Sequence, residues 1–220
     1  MTISETKALE EILGYLEGEK KVFLLGCTEC ATTCLVGGEP QLIEFKQKLE
    51  ENGKQVTGYL IADPGCHVPE LKRLLREHKE AVEAADGVLV LSCGTGTQAA
   101  AQALPEKNVH PGANTKFLGS VQRFGSFEEF CSACGECIVD MTRGICPVTR
   151  CSKGLLNGPC GGTTAEGKCE VDPEKDCAWM LIYKRLSQSG ELDRIKAFQP
   201  AKKNFPKPGK HVVERKGAAA

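Results

Sequence analysis

The chain has 220 residues, room for one ordinary domain or two small ones, and 41% hydrophobic content is enough to build a buried core. Lys plus Arg number 28 against 29 Asp plus Glu, so the formal charge of −1 gives no electrostatic case for nucleic acid or an anionic membrane as partner. Thirteen cysteines and 24 glycines stand against a single tryptophan, which places the chemistry in sulfur and in backbone turns.

The opening Met1-Thr2-Ile3-Ser4-Glu5 has no basic stretch leading into an apolar run, and no segment approaches 18 uninterrupted apolar residues; a cytoplasmic location without a membrane partner is expected. Thr2 with Glu5 three residues on reads as a capping box, and Leu9, Ile12, Leu13 and Leu16 share one helical face, so the chain should open with an amphipathic helix. Lys21 to Gly26 reads as a buried strand. After a cysteine loop, Pro40 starts a helix bearing Leu42, Phe45 and Leu49 that ends near Asn52-Gly53. The order repeats: strand Val56 to Ile61, loop Asp63 to Cys66, helix from about Pro69, strand Val88 to Leu91, helix Thr97 to Ala103, and a fourth strand at Lys116 to Val121. Alternating βα units predict an α/β fold, a small flavodoxin-like parallel sheet with helices on both faces, over residues 1–124.

From about Gly125 the apolar periodicity stops, and residues 125–197 read as an irregular cysteine-rich domain in which a metal or cluster replaces the missing core. A short helix there carries Trp179, Ile182 and Leu186 near one face. Residues 198–220, with Pro200, Pro206, Pro208 and several lysines, read as an extended basic tail that folds only against a partner.

The cysteines fall into two sets. Cys27, Cys30, Cys34, Cys66 and Cys93 each lie at or after a predicted strand, and in a parallel sheet all strand C-termini reach the same edge. Distant residues can therefore converge there, and the five offer a [4Fe-4S] site with one thiol to spare. Gly94-Thr95-Gly96 could add N–H groups toward cluster sulfides, or simply make a turn. No Walker lysine and no full Gly-x-Gly-x-x-Gly is present. His67 reads as a solvent-facing loop residue, His78 as partly buried, and His110 and His211 as loop and tail residues.

The second set is Cys131, Cys134, Cys137, Cys146, Cys151, Cys160, Cys169 and Cys177. Cys131-x2-Cys134-x2-Cys137 matches the first three positions of the bacterial ferredoxin run, which predicts a second [4Fe-4S] cluster. Its fourth ligand stays open among Cys146, Cys151, Cys160 and Cys169, because Cys146-Pro147 comes later than that run requires. Zinc held by the remaining thiolates is the competing assignment, since no His lies between Cys131 and Cys177 and four sulfurs satisfy a tetrahedral site. The odd count and tight spacing argue against a disulfide framework.

Cys134-Gly135-Glu136-Cys137, the stretch from Gly144-Ile145-Cys146-Pro147 to Cys160-Gly161-Gly162, Cys169-Glu170 and Asp176-Cys177-Ala178-Trp179 resemble the zinc-finger-like C-terminal domain of methylenetetrahydrofolate reductases. Gly26-Cys27-Thr28-Glu29-Cys30-Ala31-Thr32-Thr33-Cys34 and the second βα unit also resemble the MetV-type small subunits of acetogenic bacteria, so the likeness reaches about residue 197. The resemblance implies a non-catalytic subunit of a heteromeric reductase. Iron–sulfur clusters would pass electrons from ferredoxin or another donor subunit to FMN held by a MetF-type flavoprotein, not by this chain. A zinc-binding structural adaptor in the same complex is the alternative.

Overall fold

The computed structural model describes residues 1–203 and 208–213, and the chain opens with a strand, β1 (Thr2–Thr6), where the sequence predicted a helix start. Thr2 pairs with Leu118 and Thr6 with Ala113, so the capping-box residues are strand residues. Helix α1 (Leu9–Tyr15) begins after Ala8 with no side-chain cap. A cap contributes about 1 kcal/mol, and five residues of cross-strand pairing outweigh it.

The predicted alternation follows: β2 (Lys21–Cys27), α2 (Cys30–Thr33), α3 (Glu39–Glu51), β3 (Gln55–Ala62), α4 (Val68–Glu77), α5 (Lys79–Ala84), β4 (Gly87–Val90) and α6 (Gly94–Ala103). The fourth parallel strand is β5 (Asn108–Pro111), which pairs with β4, and the sheet runs β3-β2-β4-β5. Lys116 to Val121 is instead part of β6 (Ala113–Arg123), which lies between β1 and β7 (Ser126–Cys131) in a separate sheet, antiparallel where β1 meets β6. Asn108-Val109-His110-Pro111 has no apolar run to mark it, and only pairing with β4 makes it a strand. His110, read as a loop residue, is thereby fixed in β5, its Nε2 3.1 Å from both carboxylate oxygens of Glu19.

Period-2 alternation along β2 sends Phe23 and Leu25 to one face and Val22 and Leu24 to the other, all almost wholly buried. Leu71, Leu75 and Val82 of α4 and α5, with Ala99 and Ala100 of α6, cover the first face. Ile12 and Leu16, with Leu42, Phe45 and Leu49 of α3, cover the second. From β2 the chain crosses to β3 on one side and then to β4 on the other, so the sheet has a topological switch between β2 and β4. Open α/β sheets bind ligands at such points, beyond the strand C-termini.

The chain divides into two units, Met1–Glu128 and Glu129–Ala220. The second contains the short helix α7 (Pro147–Arg150), α8 (Ala178–Gln188) and a final 3-10 turn, Leu192–Lys196. Its buried cluster is Ile145, Trp179, Ile182 and Leu186, and the Trp179 indole N–H donates to Leu155 O at 3.0 Å. The tail residues described are partly tied down: Gln199 and Asn157 exchange two hydrogen bonds, Gln199 N–H to Asn157 Oδ1 at 2.7 Å and Asn157 Nδ2 to Gln199 O at 2.8 Å. Lys202 Nζ donates to the Glu136 carbonyl. The remainder of the predicted tail, 204–207 and 214–220, lies outside the described residues. Among the described residues no helix is long and apolar enough to cross a membrane.

Candidate metal centres

The first thiol set gathers at the switch point of the sheet. Cys27 is the last residue of β2; Cys30 opens α2 and Cys34 closes it; Cys66 sits in the turn between β3 and α4; Cys93 is the N-cap of α6. Their proximity is felt electrostatically. Burial pushes the Cys66 thiol up, and Cys27, Cys93 and Cys30 push it the same way. Burial likewise raises Cys34, against the Ser4 backbone N–H, with Cys30 and Cys93 adding to the rise. Strand ends 66 residues apart in sequence thus bring five sulfurs into one electrostatic neighbourhood.

The loops around them are tightly built. The Gly65 N–H donates to Cys27 Sγ at 3.4 Å, the Thr28 hydroxyl to Asp63 Oδ1 at 2.7 Å, and the Thr32 hydroxyl to Cys27 O at 2.7 Å. Cys27 differs from the other four: it is 5% exposed and packs with Ala31, Val36 and Ala113 in an apolar cluster. Cys30, Cys34 and Cys93 are half-buried and Cys66 is exposed. Gly94-Thr95-Gly96 forms the first turn of α6, with the Gly94 N–H on Thr115 Oγ1 at 2.8 Å. A Cβ at Gly96 would meet Ser92 Oγ at 2.6 Å, so the chain needs glycine for that turn to close on the strand end. His67 caps α4, its Nδ1 accepting the Glu70 N–H at 3.2 Å, which occupies that nitrogen in a structural role.

In the second unit, Cys151, Cys160, Cys169 and Cys177 line one cavity together with Arg150, Lys153, Thr163, Glu170, Ala178 and Trp179. Cys177, which spacing alone did not favour as a cluster ligand, belongs to this group. The Thr163 hydroxyl donates to Cys177 Sγ at 3.2 Å, the Gly162 N–H to Cys160 Sγ at 3.5 Å, and the Cys160 thiol to Glu170 Oε1 at 3.1 Å. Ser152 Oγ, 3.6 Å away, and the backbone N–H groups of Val171 and Asp172 hold the Cys169 thiol below its usual range. Such a sulfur is prepared to act as a thiolate.

Cys131, Cys134 and Cys137 stand outside that cavity. Their loop turns through positive φ at Ala133 and Gly135, the Ala133 N–H donates to Cys131 Sγ at 3.3 Å, and the Cys134 thiol donates to Glu136 O at 3.7 Å. Cys146 caps α7 and lines a different cleft with Phe130, the neighbour of Cys131. Among the described residues no three His, Cys, Asp or Glu side chains gather closely enough to ligate a single ion. Spacing had pointed to the sulfurs but not to Arg150, Lys153 or Trp179 beside them.

Fold and thiols together define an α/β protein with a sulfur-lined sheet edge, continued by a cysteine-rich unit around a small apolar cluster. Residues 110–205 match the family model described as "Methylene-tetrahydrofolate reductase C terminal", so this segment is similar to that domain. The match takes in all eight cysteines of the second set and none of the first. No curated protein and no solved structure matches the chain.

Proposed function

We propose that the chain is the electron-transfer subunit of a methylenetetrahydrofolate reductase complex, relaying single electrons from ferredoxin or another donor to FMN in a MetF-type flavoprotein. The observation that carries this reading is the convergence of the first thiol set at the sheet's switch point, in the same chain as the matched reductase domain. Structural metal alone does not call for two separate thiolate centres in 220 residues, one of them on a domain that already has a full apolar core.

The donor set fits a [4Fe-4S] cluster, which when bound supplies one-electron redox chemistry. Cys30, Cys34, Cys66 and Cys93 are the four ligands, and Cys27 is the spare thiol, packed into the core with its sulfur on the Gly65 N–H. Cys66 and Cys93 each lie beside the start of a ten-residue helix, where the positive end of the dipole favours the anionic thiolate set. Cys131 at the end of β7, with Cys134 and Cys137 in the loop after it, holds a second cluster, and the exposed Cys131 and Cys137 make it accessible to a partner protein. The parallel sheet, in this strand order, is the flavodoxin-like scaffold that fixes the first centre.

The test combines metal analysis with flavin reduction. The full chain, purified anaerobically, should carry iron and sulfide, bleach with dithionite, and pass electrons from a low-potential one-electron donor to the flavoprotein. Cys93→Ser or Cys134→Ser should each remove one cluster and reduce flavin reduction at least tenfold, whereas Cys27→Ala should keep both. A zinc-only protein that forms the complex, or undiminished flavin reduction by both Ser variants, would replace the relay with a structural adaptor.

A further inference from the structure

We infer that the Ser4 hydroxyl, with that of Thr115 beside it, is a hydrogen-bond donor kept for the sulfurs of the first thiol centre, and that it raises the reduction potential of the cluster held there. This role rests on the proposed reading of Cys30, Cys34, Cys66 and Cys93 as cluster ligands, and it adds two residues that are not themselves ligands.

Ser4 is 7% exposed, and its Oγ is one of two buried side-chain oxygens among the described residues without a hydrogen-bond partner. The other, on Thr57, belongs to the start of β3, at the opposite end of that strand from Cys66. A buried hydroxyl without a partner is destabilising, and alanine would fill the same space without that cost. The hydroxyl is accounted for when its acceptor arrives with the bound group.

Strand pairing sets which way the Ser4 side chain faces. Ser4 of β1 pairs with Thr115 of β6, and Thr6 pairs with Ala113. Paired residues of an antiparallel ladder, and residues two apart along one strand, present their side chains on the same face. Two members of this face already touch the thiol loops. Ala113 packs with Cys27, Ala31, Val36 and Cys34, and Thr115 Oγ1 accepts the N–H of Gly94, the residue after Cys93, at 2.8 Å. The edge of β1 meets the same centre: the Cys34 thiol donates to Thr2 O at 3.9 Å, and the Ser4 N–H lowers the Cys34 thiol against the rise that burial causes. Cys34 thus adjoins Ser4 itself, and Cys93 adjoins its cross-strand partner; the two thiols also feel each other's charge.

The chemistry of the two hydroxyls fits this placement. Thr115 Oγ1 uses a lone pair on the Gly94 N–H and keeps its own proton to donate, and the Ser4 proton is uncommitted. Reduction adds negative charge to a cluster and makes its sulfurs stronger acceptors. Donors aimed at them therefore favour the reduced form, and hydrogen bonds to sulfur are one of the terms that set such potentials.

The test is a potentiometric EPR titration of the full chain, purified anaerobically, with the signal lost in Cys93→Ser identifying the first centre. Ser4→Ala should keep the iron and sulfide and shift that centre to a more negative midpoint, so that at fixed ambient potential its reduced-to-oxidised ratio falls about fivefold or more, the size of one hydrogen bond. It should also remove an exchangeable proton coupled to the reduced centre, seen by comparing hyperfine spectra in H2O and D2O. Thr115→Val, at an exposed position, should shift the midpoint the same way, and Ser4→Thr should restore the wild-type value. The centre that Cys134→Ser removes should keep its potential in all three. An unchanged midpoint and unchanged proton couplings in Ser4→Ala and Thr115→Val, in a chain that holds the first cluster, would overturn this role and leave the relay standing. A wild-type chain with no iron that Cys93→Ser removes would refute the relay's first centre and this role with it.

Discussion

The two units reach stability by different routes. Met1–Glu128 sandwiches one sheet between two apolar layers, with Val22, Phe23, Leu24, Leu42, Leu71 and Leu89 wholly buried. In the second unit the buried apolar residues among those described are Ile145, Pro147, Ala178, Trp179, Ile182 and Leu186, while Cys151 and Cys177 pack against the cluster of Ile145, Trp179, Ile182 and Leu186. A segment with so little apolar burial offsets its conformational entropy poorly, and bonds from metal to thiolate are the established remedy. Under the proposed function, the fold positions the thiols in the first unit, whereas in the second the thiols and what they bind hold the fold.

Stripping the metals anaerobically with a chelator tests this contrast most severely. Amide exchange protection should collapse across residues 131–177 while β2 and β4 keep theirs, because only the second unit depends on the bound group. Equal protection of both units after stripping would show that the second has a self-sufficient core.

The converse change is Leu24→Ala, which removes a fully buried side chain from the central strand. It should cost about 2–5 kcal/mol in the first unit's unfolding free energy, read by denaturant titration, and leave the iron bound by the second unit unchanged. Coupled loss of that iron would mean that the units fold as one.

The smallest expected effect concerns the carboxylate of Asp86, which accepts the backbone N–H groups of Lys20 and Lys21, both at 2.8 Å. The Lys21 and then the Lys20 amide hold its acidity below the ordinary aspartate value. Its stabilising contribution is therefore present above the unfolded-state value and fades as pH falls through the lower folded one. Asp86→Ala should lower Tm slightly at neutral pH, and the gap to wild type should close on acidification. A gap independent of pH would mean that packing, not charge, is responsible.

Much of the first unit was legible because its signals are local and periodic. Leu42, Phe45 and Leu49 mark a helix face, and Val88 to Leu91 mark a strand buried on both sides. The misreadings share one cause. Thr2 and Glu5 satisfy a cap pattern, but pairing with β6 makes them a strand; Asn108 to Pro111 satisfies no pattern, but pairing with β4 makes it one. His110 followed the same error, since a residue in an unrecognised strand reads as loop.

The sulfur sites divide in the same way. Composition and spacing determined that thirteen cysteines form two sets, and strand order placed Cys27, Cys30, Cys34, Cys66 and Cys93 at one sheet edge, because every strand of a parallel sheet ends on the same side. Which thiols share a cavity was decided only by tertiary structure. Cys151, Cys160, Cys169 and Cys177 lie in irregular chain, where no helical or strand period relates sequence distance to distance in space; turns at Gly154, Gly158, Gly161 and Gly167, all with positive φ, set the path between them.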